Sequence, residues 1–411
     1  MEIQINDVEP LVMHIDLNSC YAIIEQQANR LIRYKPVGVA AYTSPGGFII
    51  ASSYEAKRQG IKLMRIRDAK SIDKNIIVLA PDPEKYFDAH RRFKKVLESY
   101  TDLVTPKSID EFVVDFQGSK AIKDGKSLVD IGYQMKREIK ESLGDYVTVN
   151  IGIAPNRFLA KVAAGMDKPD GLTVIQAKDI YNVYGQLDLL DLPGINRRYK
   201  ARLNLAGIYS PLDFLEAPAH KLKREVFKSI VGHYWYFRLR GHEVDSQKFP
   251  IRSFGNDFAI REWTYNRNQI QRYLMKLSEK TGRRLRKHDY MAHGVHLALS
   301  FDDGSWWHKG QKSKAPIYST QEIYFYLNKL MNLIEFPAKC THVNITVFNV
   351  DNASPRQLGL FDGTRLDSRS LAEAADKIND RYGEFTVVPA QMANMQNVII
   401  KRVPFGSVRD I

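Results

Sequence analysis

Cysteine is almost absent from this 411-residue chain. Cys20 and Cys340 lie far apart, so neither a disulfide framework nor a cysteine-based zinc cluster can be built. No apolar run approaches the roughly 18 residues of a membrane-spanning helix. The opening residues MEIQINDVEP are acidic and do not read as a secretion signal. Tandem repeats and low-complexity tracts are missing too. Acids are in deficit: 47 Asp and Glu stand against 60 Lys and Arg, a net charge of +13. That surplus favours a polyanionic partner, nucleic acid first and an anionic membrane second. Apolar content of 44% and charged content of 26% are ordinary for a folded protein. The length exceeds what one core supports, so two to four domains are expected. A cytoplasmic protein facing nucleic acid is the starting expectation.

What is present begins with acids inside strand-like runs. Asp16 lies in LVMHIDL (11–17), and the pair Asp110-Glu111 lies in SIDEFVVDF (108–116). Carboxylates are seldom buried unless paired or bound to metal. Two strands delivering acids to one sheet edge could hold two divalent cations about 3.5–4 Å apart, the arrangement used for displacement at phosphorus. Acids that merely end strands at turns are the plain alternative for any one of them.

Strand-like runs at 37–42, 47–53, 76–82, 148–154 and 171–176 alternate with amphipathic stretches. One helix is expected over 83–100. Another starts near Asn156, with Phe158, Leu159, Val162 and Ala163 on one face. The fold class is α+β and multidomain. Residues 177–246 read as short helices. Strands return at 253–260, 293–301 and 341–350, with helices at 267–287 and 319–334 between them. Residues 351–357 (DNASPRQ) read as a linker before a tail.

Further motifs carry charge to defined places. Tyr21 falls in the first turn of a helix after Asp16, where its ring would lie against whatever a metal there holds. Tyr54, Lys57 and Arg58 share about one helical turn, a spacing that suits phosphate oxygens. Lys161 and Lys168 sit in AKVAAGMDKPDG, and Lys168 precedes a turn that would project its ammonium. Pro193-Gly194-Ile195 separates two helices, the second carrying Arg197; such a hairpin aims N–H groups at phosphate. The run Arg283, Arg284, Arg286, Lys287 suggests contacts that track a nucleic-acid backbone. Gln357, Leu358, Leu360 and Phe361 (in QLGLF) place apolar anchors in a polar segment, as docking peptides do.

In this order the segments resemble the Y-family translesion DNA polymerases, with the nearest likeness to the UmuC-like branch and its bacterial UV-repair relatives. The resemblance runs from about residue 11 to about 390. HIDLNSCYA, SIDEF, GIAPNRFLAKVAAGMDKP, LPGI and QLGLF are its sharpest pieces. It implies a right-hand architecture: palm at 1–19 and 82–173, small fingers at 20–81, helical thumb at 174–246 and α/β little finger at 249–352. Residues 353–411 would be a linker with a clamp-binding peptide and a C-terminal tail. The resemblance makes Asp16, Asp110, Glu111 and the Leu17 carbonyl ligands of two Mg²⁺ ions. Tyr21 becomes a steric gate against ribonucleotides. Tyr54, Lys57 and Lys168, with Arg58 beside them, become contacts to the triphosphate, and Pro193–Ile195 becomes the thumb's helix-hairpin-helix turn.

The implied activity is template-directed DNA synthesis past damaged bases, in SOS-type damage tolerance. Implied partners are primer-template DNA, deoxynucleoside triphosphates, a sliding clamp through QLGLF and accessory subunits, at the replication fork in the cytoplasm and with no membrane. Ala51 and Lys57 stand where many members have Thr and Arg, and both resemble the UmuC branch. Asn196 stands where a second hairpin Gly is common. The alternative, a non-catalytic polymerase-like scaffold that binds DNA, is opposed by the presence of all three acids.

Overall fold

The structure, a computed structural model, describes residues 4–44, 46–247, 249–353, 363–395 and 398, with the backbone alone at 363–367. Its strands in chain order are β1 (Val12–Leu17), β2 (Val37–Ala40), β3 (Ile49–Ser52), β4 (Ile77–Leu79), β5 (Val104–Pro106), β6 (Glu111–Asp115), β7 (Val149–Ala154) and β8 (Leu172–Val174). They continue with β9 (Ser253–Thr264), β10 (Tyr290–Phe301), β11 (Trp306–Ile317) and β12 (Cys340–Asn352). The chain divides into two compact units after Gln247.

The first unit is built on a five-stranded sheet ordered β5-β6-β1-β7-β8. Central β7 (VNIGIA) is buried along its whole length, which requires cover on both faces. Helix Arg157–Met166 covers one face, packed on β1 and β7. Helices Pro83–Glu98 and Leu128–Leu143 fill the other, with Tyr86, Phe93, Met135 and Ile139 joining Met13, Ile15 and Phe112 in one core. Asn156 caps the first of these helices, its side chain accepting from the Leu159 N–H at 2.8 Å. Gly152 lets that helix lie directly on the sheet: a Cβ there would stand 2.1 Å from the Ala160 carbonyl oxygen. A smaller sheet, β3-β2-β4, with the Tyr54–Arg58 and Ile66–Ile72 helices, holds its own core of Ile49, Ile61 and Ile66.

Residues 177–239 form short helices, as the absence of strand patterning predicts. They pack around Trp235, whose ring lies 5.3 Å from Phe214 and 5.9 Å from Phe227.

In the second unit a four-stranded antiparallel sheet, β11-β10-β12-β9, carries helices Arg267–Lys287 and Thr320–Met331 against one face. Edge strand β11 (WWHKGQKSKAPI) has no counterpart in the sequence reading. Half of its residues are exposed and only Ile317 is buried, it carries three lysines, a composition that blunts an edge, and no apolar alternation announces it. Most of the segment read as a linker lies outside the described residues, while helix Gly363–Tyr382 and residues 383–395 belong to the second unit, with Met392 and Met395 buried.

Candidate active site

The antiparallel pairing of β1 with β6 sets Asp16 directly opposite Glu111, and β7 sets Asn150 on its other side. Asp110 immediately precedes β6, and its carbonyl accepts from the Leu17 N–H at 2.9 Å. Carboxylates from two segments more than ninety residues apart thus meet at one sheet edge. Ser108 Oγ donates to Asp110 Oδ1 at 2.5 Å. Burial pushes the Asp16 carboxyl above its ordinary range, opposed by Lys168 and reinforced by Glu111 and Asp110. Asp110 is pushed up in the same way, chiefly by burial and against its Ser108 hydrogen bond. For Glu111 burial is outweighed by the hydrogen bond and charge of Lys161, and its carboxyl lies below the usual range.

Each of two acids is answered by a lysine. Lys161, on the helix seated over Gly152, reaches Glu111 Oε2 at 2.7 Å. Lys168 pairs with Asp16. His14, buried between them, has its Nε2 3.7 Å from Glu111 Oε2. Burial, partly offset by Glu111 and aided by the three nearby lysines, pushes its imidazole down to about 4, so it is neutral. Among the described residues no three His, Cys, Asp or Glu side chains are gathered as a ready metal cage. The donor chemistry nevertheless fits hard divalent cations. The carboxylates are clustered and half-desolvated, two of them are held up by burial and mutual charge, and ammonium groups supply the compensating cation.

The loop bearing Lys168 is fixed by two asparagines that sequence reasoning missed. Asn18 Nδ2 donates to Asn150 Oδ1 at 2.9 Å, and Asn150 Nδ2 donates to the Asp167 carbonyl at 2.8 Å. Asn18 Oδ1 accepts from the Asp170 N–H at 2.9 Å. Both side chains are about 1% exposed. An asparagine inside an apolar strand was the available signal, because buried amides occur where backbone must be held.

Tyr21 is buried in the Cys20–Ala28 helix, its ring 4.6 Å from that of Tyr86. Tyr86 is held in turn by Glu25, which accepts from its hydroxyl and from Lys85, both at 2.9 Å. On the Tyr54–Arg58 helix, Lys57 donates to Ser19 Oγ at 2.7 Å and lies 4.8 Å over the Tyr54 ring. Burial and the Lys168 charge push the Lys57 ammonium down, and burial with Asp16 pushes the Tyr54 phenol up to about 12. Tyr54, Lys57 and Lys168 are therefore brought to the acids, while Arg58 is exposed at the helix end.

A cleft of about 440 Å³ is lined by Asp16, Glu111, Lys161, Lys168, Asp191 and Pro193 among others. It joins the acids to the Pro193-Gly194-Ile195 turn. Gly194 has φ of +95°, a conformation that favours glycine. Ile195 is buried, Arg197 is exposed, and Asn196 caps the Arg197–Leu205 helix through the Tyr199 N–H at 2.9 Å. The residue that departs from the family's hairpin glycine thus has a capping role.

The basic run in the second unit makes contacts within that unit. Arg286 donates twice to Asp376, at 2.5 and 3.0 Å, and once to the Tyr318 carbonyl at 3.1 Å. Arg283 reaches Asp380 at 2.8 Å and Asp376 at 3.6 Å. Arg284 donates to the Gly255 carbonyl at 3.0 Å, and Lys287 is exposed. Three of the four residues thus have internal partners: Asp376 and Asp380, one helical turn apart, meet Arg283 and Arg286, and the Gly255 carbonyl meets Arg284. Gln357, Leu358, Leu360 and Phe361 lie outside the described residues.

Comparison with known proteins follows this geometry. The impB/mucB/samB family pattern matches residues 15–165, and that of the family's C-terminal domain matches 251–360. DNA polymerase IV of Pelotomaculum thermopropionicum is 30% identical over 398 residues, covering 95% of this chain and 97% of the relative. DNA polymerase IV 1 of Bacillus subtilis is 27% identical over 386 residues, covering 91% of each. Among solved structures, a Y-family DNA polymerase chimera of Dbh and Dpo4 shares the fold with a TM-score of 0.71 at 24% identity. It is matched over 82% of this chain and 98% of its own. These relatives carry the name DNA polymerase IV, so the UmuC-like branch rests on Ala51 and Lys57 alone. By sequence match, length of coverage and fold, the chain belongs to the impB/mucB/samB family, the Y-family DNA polymerases.

Proposed function

We propose that this chain is a template-directed DNA polymerase that extends primers past damaged template bases. The observation that carries the reading is the register of β1 against β6, which sets Asp16 opposite Glu111 with Asp110 beside them. We assign the palm to 1–19 and 82–173, the fingers to 20–81, the thumb to 174–246 and the little finger to 249–352.

Asp16, Asp110, Glu111 and the Leu17 carbonyl would hold two Mg²⁺ ions. Such ions, when bound, lower the pKa of a primer 3′-hydroxyl and neutralise charge on a triphosphate. Everything else is positioning by this chain. Lys57, whose ammonium is pushed down by burial and by the Lys168 charge, and Lys168 would present two ammonium groups to triphosphate oxygens. Tyr54 adds a phenol donor beside them. The Tyr21 ring, backed by Tyr86 and Glu25, cannot swing away, so a 2′-hydroxyl placed against it would clash. The hairpin turn at Pro193–Ile195 and Arg197 would take backbone phosphates without reading bases. Glu111 and Asp16, which here pair with Lys161 and Lys168, would hold the cations, and Lys168 would then be available to substrate.

Primer-template DNA and deoxynucleoside triphosphates are the partners this site requires. QLGLF would dock a sliding clamp, and accessory subunits would join at the fork. No helix of the described residues is long and apolar enough to cross a membrane, and a cytoplasmic, nucleoid-associated location is proposed.

The test is primer extension on a primed template with Mg²⁺ and four deoxynucleotides, wild type beside an Asp110→Ala, Glu111→Ala double variant, with and without a clamp. Extension by the wild type alone supports the acidic site. Near-normal synthesis by the variant refutes it. DNA binding without extension by either protein would make the chain a scaffold.

A further inference from the structure

The solvent face of the β11-β10-β12-β9 sheet holds a histidine pair that the proposed reaction does not use. His296 on β10 and His308 on β11 are diagonal neighbours across the strand pair, a relation within reach of long side chains. Gly310 stands directly opposite His296, and Ala298 stands directly opposite His308. The two smallest side chains thus leave both imidazoles room to lean together. His296 Nε2 and His308 Nδ1 lie 3.0 Å apart. The exposed Trp306 ring stacks on His308, centroids 4.9 Å apart and planes 21° from parallel, which holds that imidazole in place.

Imidazole nitrogens bind Zn²⁺-class ions at about 2.0–2.1 Å. Two such bonds at angles between about 90° and 109° put the nitrogens about 2.9–3.4 Å apart. The observed separation of 3.0 Å falls in that window. We infer that His296 Nε2 and His308 Nδ1 form a two-histidine site for a borderline divalent transition ion, of the Zn²⁺, Ni²⁺ or Cu²⁺ class. Among the described residues no third His, Cys, Asp or Glu completes a cage, so water fills the remaining positions. In the metal-free pair one nitrogen donates its proton to the other. With an ion between them, the donor ring moves its proton to its far nitrogen, both rings stay neutral and no proton leaves. Mg²⁺ prefers oxygen and keeps its waters, so it does not compete at this pair.

The experiment is a Cu²⁺ titration of the full chain in excess Mg²⁺, followed by tryptophan emission and by calorimetry. One saturable equivalent is expected, with quenching dominated by Trp306. His296→Gln and His308→Gln are each expected to weaken binding about tenfold or more, at least the loss that follows removal of an outer partner at known sites. Trp306→Phe should bind the ion with unchanged stoichiometry and lose most of the quenching. Binding that survives both histidine substitutions unchanged, or a wild type that shows no saturable equivalent, would reduce the pair to an ordinary hydrogen bond.

Discussion

Replacing Asp376 with alanine removes the carboxylate that holds two arginines of the Arg267–Lys287 helix. The Arg286 side chain is only 4% exposed and makes its two carboxylate bonds to Asp376. It also donates to the neutral Tyr318 carbonyl at 3.1 Å, and the buried Glu279 interacts with its charge. A buried guanidinium stripped of its counter-charge costs about 3–5 kcal/mol. The Tyr318 bond persists and Arg283 keeps Asp380, so the lower end, about 3 kcal/mol, is expected. Asp380→Ala is the internal control. Its side chain is 74% exposed, and such a pair contributes within about 1 kcal/mol. Calorimetric unfolding of the full chain separates the two cases. The transition of the second unit should fall by roughly 6–12 °C for Asp376→Ala and by a few degrees at most for Asp380→Ala. A double variant, Arg286→Leu with Asp376→Leu, should recover part of the loss, since it removes the buried guanidinium together with its hydrogen-bonded carboxylate. Equal shifts for the two single variants would refute the account of the tail helix as an integral part of this unit.

Tyr21→Ala should admit ribonucleotides during primer extension while leaving deoxynucleotide addition measurable; unchanged sugar selectivity removes the gate. Gly152→Ala should destabilise the first unit by about 1–3 kcal/mol and slow extension, because its Cβ would meet helix backbone at 2.1 and 2.2 Å. Wild-type stability in that variant would show that the helix bearing Lys161 is not seated as described. Lys276, buried against Phe385 and donating to the Met395 carbonyl, is pushed by burial from an ordinary 10.5 down to about 8. Between those values the unfolded chain holds the proton and the folded chain does not, so stability attributable to Lys276 rises with pH across that window and is flat below it. Lys276→Met should therefore gain most over the wild type near pH 7, with the advantage shrinking toward pH 10; an advantage independent of pH in denaturant titrations would contradict this.

The acids were legible because a charged residue inside a β-branched run is conspicuous, and the order of motifs supplied the architecture. Lys168 was legible from its turn, yet its partner Asp16 was not, since nothing local says which strand a loop returns to. Asn18 and Asn150 were hidden by commonness: their role depends on a backbone loop brought beside them by the fold. The internal partners of the arginine run were hidden for a similar reason. A basic helix edge looks alike in sequence whether or not an acidic helix ninety or more residues later packs beside it. Strand β11 escaped because an edge strand with one face in water needs little apolar patterning.

The pairing of β1 with β6 bears on folding as well as on chemistry. Val12, His14 and Asp16 point to the face covered by the Arg157–Met166 helix, while Met13, Ile15 and Leu17 point into the opposite core. Because both faces are buried, apolar residues alone discriminate weakly between adjacent alignments. A slip of one residue would turn Asp16 toward Phe112, Met135 and Ile139, where no lysine could answer it, at a cost of several kcal/mol. The acids thus serve as alignment marks: a chain that reaches its native sheet has, by that same act, brought Asp16 and Glu111 face to face.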